Sequence, residues 1–117
     1  MAKLTIIREI NSAHGKHIHG HTFKIEISFK DKLINNMVGN LDFREVEPKI
    51  TEVISRLDKV YLDEIINPRA TIENIAIYIL RELKDFENLY SVIVWEGLEK
   101  YVEILKEEII WKKSKKI

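Results

Sequence analysis

The most regular alternation of apolar and polar positions lies between residues 22 and 30, where every second residue is apolar. This period of two predicts a β-strand with one buried face, because successive side chains of a strand point to opposite sides. A second strand is predicted over residues 3–13, where apolar side chains with β-branched neighbours suit burial on both faces. The segment 13–19 is short enough to close a hairpin between the two strands.

A first helix is predicted after a loop at residues 35–40, which contains two adjacent asparagines and Gly39. Asp42, followed three positions later by Glu45, resembles a capping box at the start of this helix. Pro48 is expected in or just after the first turn, where its missing N–H does least harm. The apolar residues that follow at helical spacing are Phe43, Val46, Ile50, Val53, Ile54 and Leu57.

A second helix is predicted after a turn at Asn67-Pro68, with Thr71 as its N-cap. Its buried face would consist of Ile72, Ile75, Ala76, Ile79, Leu80 and Leu83.

The C-terminal part of the chain predicts two further strands. Residues 89–96 form a compact apolar run that Gly97 ends, and residues 100–111 are expected to return as the last strand. The lysine-rich tail at 112–116 is expected to be a solvated end. Two strands, two helices and two strands in this order predict an α+β fold, with an antiparallel sheet and both helices on one face.

Composition narrows the classes of function. The chain has 117 residues, 45% of them hydrophobic, so we expect one domain spanning residues 1–117. Basic and acidic residues number 19 each, so no net charge favours nucleic acid or an acidic membrane surface as a partner. The N-terminus lacks a signal-peptide pattern and no segment is apolar for the length of a bilayer, so a cytoplasmic protein is expected.

The histidines are the residues that most clearly suggest chemistry. Because the chain has no cysteine, a metal site must use imidazole or carboxylate ligands. His19 and His21 are two apart, so on a strand their imidazoles share a face, and the hairpin brings His14 beside them. Three imidazoles with an open fourth position are typical of catalytic zinc. The alternative is a solvent-facing histidine pair, and His17 is either a fourth ligand or an exposed loop residue.

Six short motifs extend this picture, in the order Ser12-Ala13-His14, His19-Gly20-His21, Leu41-Asp42-Phe43, Leu57-Asp58, Thr71-Ile72-Glu73-Asn74 and Glu96. Together they resemble the 6-pyruvoyltetrahydropterin synthase and 6-carboxytetrahydropterin synthase family over almost the whole chain. The resemblance implies the tunnelling fold, a four-stranded antiparallel sheet with two helices on one face. It also implies a homo-oligomer, in which three subunits close a β-barrel, two trimers stack into a hexamer, and active sites lie between subunits.

Site residues follow from the same resemblance. His14, His19 and His21 match the family's three ligands of Zn²⁺, which is therefore the expected cofactor. Glu96 matches the carboxylate that binds the pterin ring, and a carboxylate can accept hydrogen bonds from the ring amino group and the adjacent N–H together.

Four further residues match the family, and three of them also have simple structural explanations. Thr71 and Glu73 match residues that line the pterin pocket, although an N-cap threonine and a glutamate in a first turn are ordinary helix-start residues. Asp42 and Phe43 match a structural signature of the family, and helix capping explains Asp42 equally well.

The chain departs from the family where protons are handled. The family's catalytic cysteine is absent, the loop after His14 is shorter than usual, and the family's Asp-His pair appears here as Asp58-Lys59. Lys59 is one candidate base, since a nearby cation favours its neutral amine and Asp58 could orient it. His17 is the other, because imidazole exchanges protons near neutral pH. Family members without the cysteine can carry a glutamate and release 6-hydroxymethyl-dihydropterin.

Three functions remain open at this point. The leading interpretation is a zinc-dependent lyase that acts on 7,8-dihydroneopterin triphosphate and yields a pyruvoyl-, carboxy- or hydroxymethyl-pterin. The second is a non-catalytic pterin- or purine-binding metal protein that has lost the base. The third is a structural oligomer whose histidines are incidental. Function resides in the site, so fold alone does not separate the first two.

Overall fold

A computed structural model describes residues 1–109 of the chain. Its elements, in chain order, are β1 (Ala2–His14), β2 (His19–Asp31), β3 (Leu33–Ile34), β4 (Met37–Val38), α1 (Phe43–Leu57), α2 (Ile72–Glu82), β5 (Leu89–Glu96) and β6 (Lys100–Leu105). Short 3-10 turns lie at Leu62–Glu64 and Lys106–Glu108. No helix in the described part is long and apolar enough to span a bilayer.

The predicted α+β fold is confirmed. Four strands form one antiparallel sheet in the order β1-β2-β5-β6, and β3 pairs with β4 in a separate small hairpin. The alternation of β2 puts its apolar residues on a single face, where they are fully buried together with the inner faces of both helices. The opposite face of the sheet is more polar and carries Lys24 and Glu26 from β2.

Both helices begin at the predicted caps. Asp42 caps α1 by accepting the N–H of Arg44 at 2.9 Å, one residue earlier than a capping box would use. Pro48 lies one turn into α1, so only the carbonyl of Arg44 loses its partner in the helix. Thr71 caps α2 by accepting the N–H of Asn74 at 3.1 Å.

The predictions of a loop at 35–40 and of a last strand at 100–111 need correction. The predicted loop at 35–40 includes β4, because Asn35 and Asn36 both take positive φ angles, 52° and 64°, and so form the tight turn of a hairpin. The last strand ends at Leu105 rather than continuing to 111. Lys106 donates to the carbonyls of Lys84 and Phe86, at 3.0 and 3.1 Å, and this draws the chain away from the sheet edge. Residues 110 and 111 and the predicted tail at 112–116 lie outside the described residues.

Both strands of the first hairpin extend further towards their connection than their patterns predict. β1 includes His14, and β2 begins at His19. His14, His19 and His21 therefore all stand on regular strand backbone, which is stiffer than a loop.

Phe23 packs against His14 and His21 and lies between them and the rest of the core. Its ring is fully buried, and its centroid lies 5.2 Å from that of His14 and 5.8 Å from that of His21. We expect Phe23→Ala to lower the free energy of unfolding by about 3–5 kcal/mol, because it removes a large side chain from a filled core. Urea denaturation of the metal-free protein measures the change.

Phe43→Ala is the matched control, because Phe43 is 42% exposed and truncating it opens no comparable cavity. An equal loss of stability in the two variants would show that Phe23 does not have this supporting role.

Candidate metal centre

The side chains of His14, His19, His21 and Glu96 meet at one end of the sheet. The register of β1 and β2 places His14 directly opposite His19 and Ser12 opposite His21, and the register of β2 and β5 places Glu96 opposite Phe23. All four point towards the helices, beyond the last apolar layer of the core. One nitrogen from each of the three histidines and one oxygen of Glu96 lie within 4.8 Å of one another.

His14 is almost buried, with 9% of its surface exposed. Its Nδ1 donates to the carbonyl of Ala70 at 2.7 Å, since a carbonyl can only accept. In a neutral imidazole this leaves a lone pair on Nε2, and that atom is buried without a hydrogen-bond partner. Glu96 Oε2 lies 2.8 Å away, but not in the direction of a hydrogen bond.

The contact between His14 and Glu96 calls for a positive charge. A neutral imidazole nitrogen and a carboxylate oxygen both present lone pairs, so at 2.8 Å they repel unless the imidazole is protonated or a metal cation binds both atoms. His21 Nε2 is 3.3 Å from the same oxygen, which brings a third electron-pair donor to this point. The donor set of the cluster therefore fits a divalent metal that prefers nitrogen and oxygen ligands.

His19 is oriented by the turn that precedes it. Its Nδ1 donates to the carbonyl of His17 at 2.6 Å, so its Nε2 also keeps a lone pair. The ring centroids of His14 and His19 are 4.6 Å apart, and those of His19 and His21 are 4.7 Å apart. Gly15 allows this approach, since a Cβ there would lie 3.0 Å from Cε1 of His19.

Glu96 is held in its ionised form. Its burial alone would raise the pKa, but the hydrogen bond from Lys100, the charge of Lys100 and the charge that His21 and His14 carry when they are protonated outweigh burial, so the pKa of Glu96 lies below its usual value. The Nζ of Lys100 is 2.9 Å from Glu96 Oε1. In turn Glu96 raises the pKa of Lys100, and the charge of Glu73 adds to the rise.

The start of α2 lies beside this cluster. The carbonyl of Ala70 contacts His14, and Thr71 follows it, with its hydroxyl used as the N-cap. Glu73 is exposed and close enough to Lys100 for its charge to act on that group. The residues predicted to bind substrate, Glu96, Thr71 and Glu73, thus gather at the same end of the sheet as the three histidines.

The predicted proton-transfer residues lie around this cluster rather than within it. Asp58 accepts the N–H of Asn11 at 2.9 Å, and Lys59, with a φ of 59°, donates its own N–H to the Asn11 carbonyl at 2.9 Å. Lys59 therefore stands at the outer edge of β1, where it lines a shallow cavity together with His21. His17 is exposed in the turn between β1 and β2, and its carbonyl accepts a hydrogen bond from His19.

The sequence patterns did not identify three residues that support the cluster. Asp63 accepts the N–H of Gly15 at 2.8 Å, and the hydroxyl of Tyr61 donates to the Gly15 carbonyl at 2.9 Å. Each of these two hydrogen bonds joins residues more than 40 positions apart in the chain, so no local periodicity of the sequence reveals it. Lys100 could have been found, because the tight turn at Gly97 implies that it pairs with Glu96 across the hairpin.

Gly15→Ala tests the close packing of the turn against His19. We expect it to destabilise the protein by about 1–3 kcal/mol, because φ at Gly15 is 96° and the added Cβ meets the His19 ring. The shift of the His19 ring signals in an NMR spectrum and the free energy of unfolding measure the two effects. Gly20→Ala is the control, since a Cβ there has no atom within 4 Å. Equal behaviour of the two variants would contradict the packing argument.

Comparison with known proteins places this arrangement in a family. The family model described as 6-pyruvoyl tetrahydropterin synthase matches residues 5–107. A protein of Archaeoglobus fulgidus with the provisional name 6-carboxy-5,6,7,8-tetrahydropterin synthase is 36% identical over 88 residues, which cover 74% of this chain and 75% of that protein.

Solved structures show the same fold. The 6-pyruvoyl tetrahydropterin synthase of Caenorhabditis elegans superposes with a TM-score of 0.77 at 18% identity, over 89% of this chain and 94% of that one. The enzyme of Plasmodium vivax superposes with a TM-score of 0.68 at 15% identity, over 89% and 96%. With the match of the family model to most of its length, the chain belongs to the 6-pyruvoyl tetrahydropterin synthase family.

Proposed function

We propose that this member of the pterin synthase family is a zinc-dependent lyase that acts on 7,8-dihydroneopterin triphosphate. The observation that carries the proposal is the buried Nε2 of His14, which has no hydrogen-bond partner and faces the carboxylate of Glu96 within a cluster of three imidazoles. A buried polar atom without a partner is costly, so it needs an explanation, and a bound ion at this position supplies one. The family match supports a pterin as the substrate.

His14, His19 and His21 would hold the zinc. Three neutral imidazoles leave the charge of the ion uncompensated, and zinc bound in this way would acidify the hydroxyl groups of the substrate side chain. His14 and His19 each use Nδ1 to donate to a backbone carbonyl, which fixes their tautomers and leaves both Nε2 atoms as electron-pair donors. That arrangement is typical of histidines that bind metals.

Glu96 would bind the pterin ring. As an ionised carboxylate it can accept from the ring amino group and the neighbouring N–H together, and such paired, charge-assisted hydrogen bonds are strong and specific. Thr71 and Glu73 at the start of α2 would line the same pocket. The competing role for Glu96 is that of a fourth metal ligand, since its Oε2 approaches both His14 and His21.

Lys59 and His17 are the two candidates for the base that removes a proton from the substrate side chain. Both residues are exposed, and Lys59 has the stronger structural support because it lines a cavity whose walls include His21. Asp58 would act as a positioning residue, since its carboxylate is bonded to the backbone of Asn11 and so holds Lys59 at the edge of β1.

A homo-oligomer, trimeric or hexameric, would complete the site. β1 and β6 are the two edges of the sheet, and residues 58–61 cover the edge of β1 at Asn11 and Ala13, near its C-terminal end. Unpaired strand edges bind other strands readily, so pairing of β1 and β6 between copies would extend the sheet into a barrel. Lys59 would then lie at a subunit boundary.

The second candidate function is a non-catalytic pterin- or purine-binding metal protein. The absence of cysteine favours it, because the residue that acts as base in the family has no counterpart here. It predicts that zinc and a pterin bind without conversion of the substrate.

Incubation of the zinc-loaded protein with 7,8-dihydroneopterin triphosphate tests both functions. We expect a pterin product, identified by mass as the pyruvoyl, carboxy or hydroxymethyl compound, and we expect no conversion after metal removal. Loss of the base lowers such rates by about 10²–10⁴-fold, so Lys59→Ala should lower kcat in that range and His17→Ala should have a smaller effect. Lys16→Ala, an exposed neighbour of His17, is the control.

The outcomes separate the two functions. Tight pterin binding by the zinc-loaded protein without any product would contradict the lyase and support the binding protein. Full activity in Lys59→Ala together with loss in His17→Ala would move the role of base to His17.

Glu96→Gln distinguishes the two roles of Glu96. If Glu96 binds the ring, pterin affinity should fall by about 10–100-fold, the equivalent of about 1.4–2.7 kcal/mol, while zinc affinity changes little. Zinc affinity is measured by competition with a chromophoric chelator, and pterin binding by fluorescence. Glu99→Gln, an exposed carboxylate of the same hairpin, is the control. A large loss of zinc affinity would assign Glu96 to the metal instead.

A further inference from the structure

We propose that Asp63 is a positioning residue for His14, and that its carboxylate sets the orientation in which His14 presents Nε2. The inference rests on the proposed metal-binding function of His14. Asp63 contacts none of the cluster's side chains directly, so its effect is transmitted through the backbone on either side of the imidazole.

The carboxylate of Asp63 connects the two backbone segments that hold His14. One oxygen, Oδ1, accepts the N–H of Gly15, the residue after His14, at 2.8 Å. The other, Oδ2, lies 3.4 Å from the N–H of Ala70, which is a longer and weaker contact. The carbonyl of Ala70 is the acceptor for Nδ1 of His14. The Asp63 carboxylate thus connects the backbone next to His14 with Ala70, whose carbonyl fixes the tautomer of His14.

The segment around Asp63 is itself anchored to β1. The N–H of Ala13 donates to the carbonyl of Val60 at 3.0 Å, and the hydroxyl of Tyr61 donates to the carbonyl of Gly15 at 2.9 Å. The chain is therefore held on both sides of His14, by Val60 before it and by Asp63 and Tyr61 after it. Asp63 is the member of this group that also reaches Ala70.

Removal of the carboxylate would release both contacts. The N–H groups of Gly15 and Ala70 would lose their acceptors, and the first turn of α2 could then shift relative to β1. The Nδ1–H of His14 would be held less firmly by the Ala70 carbonyl, so the tautomer with a free Nε2 would be less populated. Loss of such outer partners of a metal-binding histidine typically lowers metal affinity by 10–100-fold.

Two substitutions of Asp63 in the full chain test the inference. Asp63→Ala should lower zinc affinity by about 10–100-fold, and Asp63→Asn should lower it less, because its amide oxygen can still accept from Gly15. Glu64→Ala is the matched control, since Glu64 is an exposed carboxylate in the same turn and its removal changes the net charge equally. Glu64→Ala should bind zinc with unchanged affinity.

Two spectroscopic measurements separate positioning from a general loss of stability. The ¹⁵N signals of the His14 imidazole in the metal-free protein report its tautomer, and we expect Asp63→Ala to shift them towards the mixture of a free imidazole. The visible absorption of the Co²⁺-loaded protein reports ligand geometry and should change in Asp63→Ala but not in Glu64→Ala. Both are recorded well below the unfolding temperature of each variant, and Asp63→Asn serves if Asp63→Ala does not fold.

The inference is overturned if the zinc affinity of the Asp63 variants lies within twofold of that of the unchanged chain. It is also overturned if Asp63→Ala and Glu64→Ala lose zinc affinity equally. Unchanged His14 signals in the metal-free Asp63 variants would overturn it as well. If the unchanged chain bound no zinc, the proposed function would fail, and the His14 signals alone would decide whether Asp63 positions this side chain.

Discussion

The antiparallel register between β1 and β2 is the constraint on which the candidate site depends. It pairs Ile10 with Phe23 in the core and, by the same alternation, His14 with His19 beyond it. A slip of one residue would turn the apolar side chains of one strand towards solvent. Burial of each large apolar side chain stabilises the fold by about 1.5–3 kcal/mol, so the core strongly disfavours such a slip. Hydrophobic burial therefore determines which polar side chains meet.

Support for the site comes from the connection between α1 and α2. A buried imidazole needs partners for its polar atoms, and the chain from Asp58 to Thr71 supplies the one for Nδ1 of His14. It covers the end of β1, bonds the backbone on both sides of His14, and delivers the Ala70 carbonyl to Nδ1. This connection, which has little regular secondary structure, thus works as part of the site rather than as a linker.

Periodicity in the sequence was enough to predict the order of the main elements and the face that each one buries. The same patterns place His14 near the His19–His21 pair, because a short hairpin leaves few alternatives. They failed at β6, where contacts of Lys106 with distant carbonyls override a pattern typical of a strand. They also missed Asp63 and Ala70, whose effect on His14 depends on tertiary contacts between residues about 50 positions apart.

The same separation along the chain has a consequence for biosynthesis. Residues 14–21 leave the ribosome well before Asp63, Ala70 and Glu96, so a nascent chain exposes its three imidazoles while the groups that orient His14 and complete the cluster are still missing. Flexible imidazoles bind metal weakly, because their ordering must then be completed at the moment of binding. The proposed metal binding should accordingly become strong only after the C-terminal strands have joined the sheet.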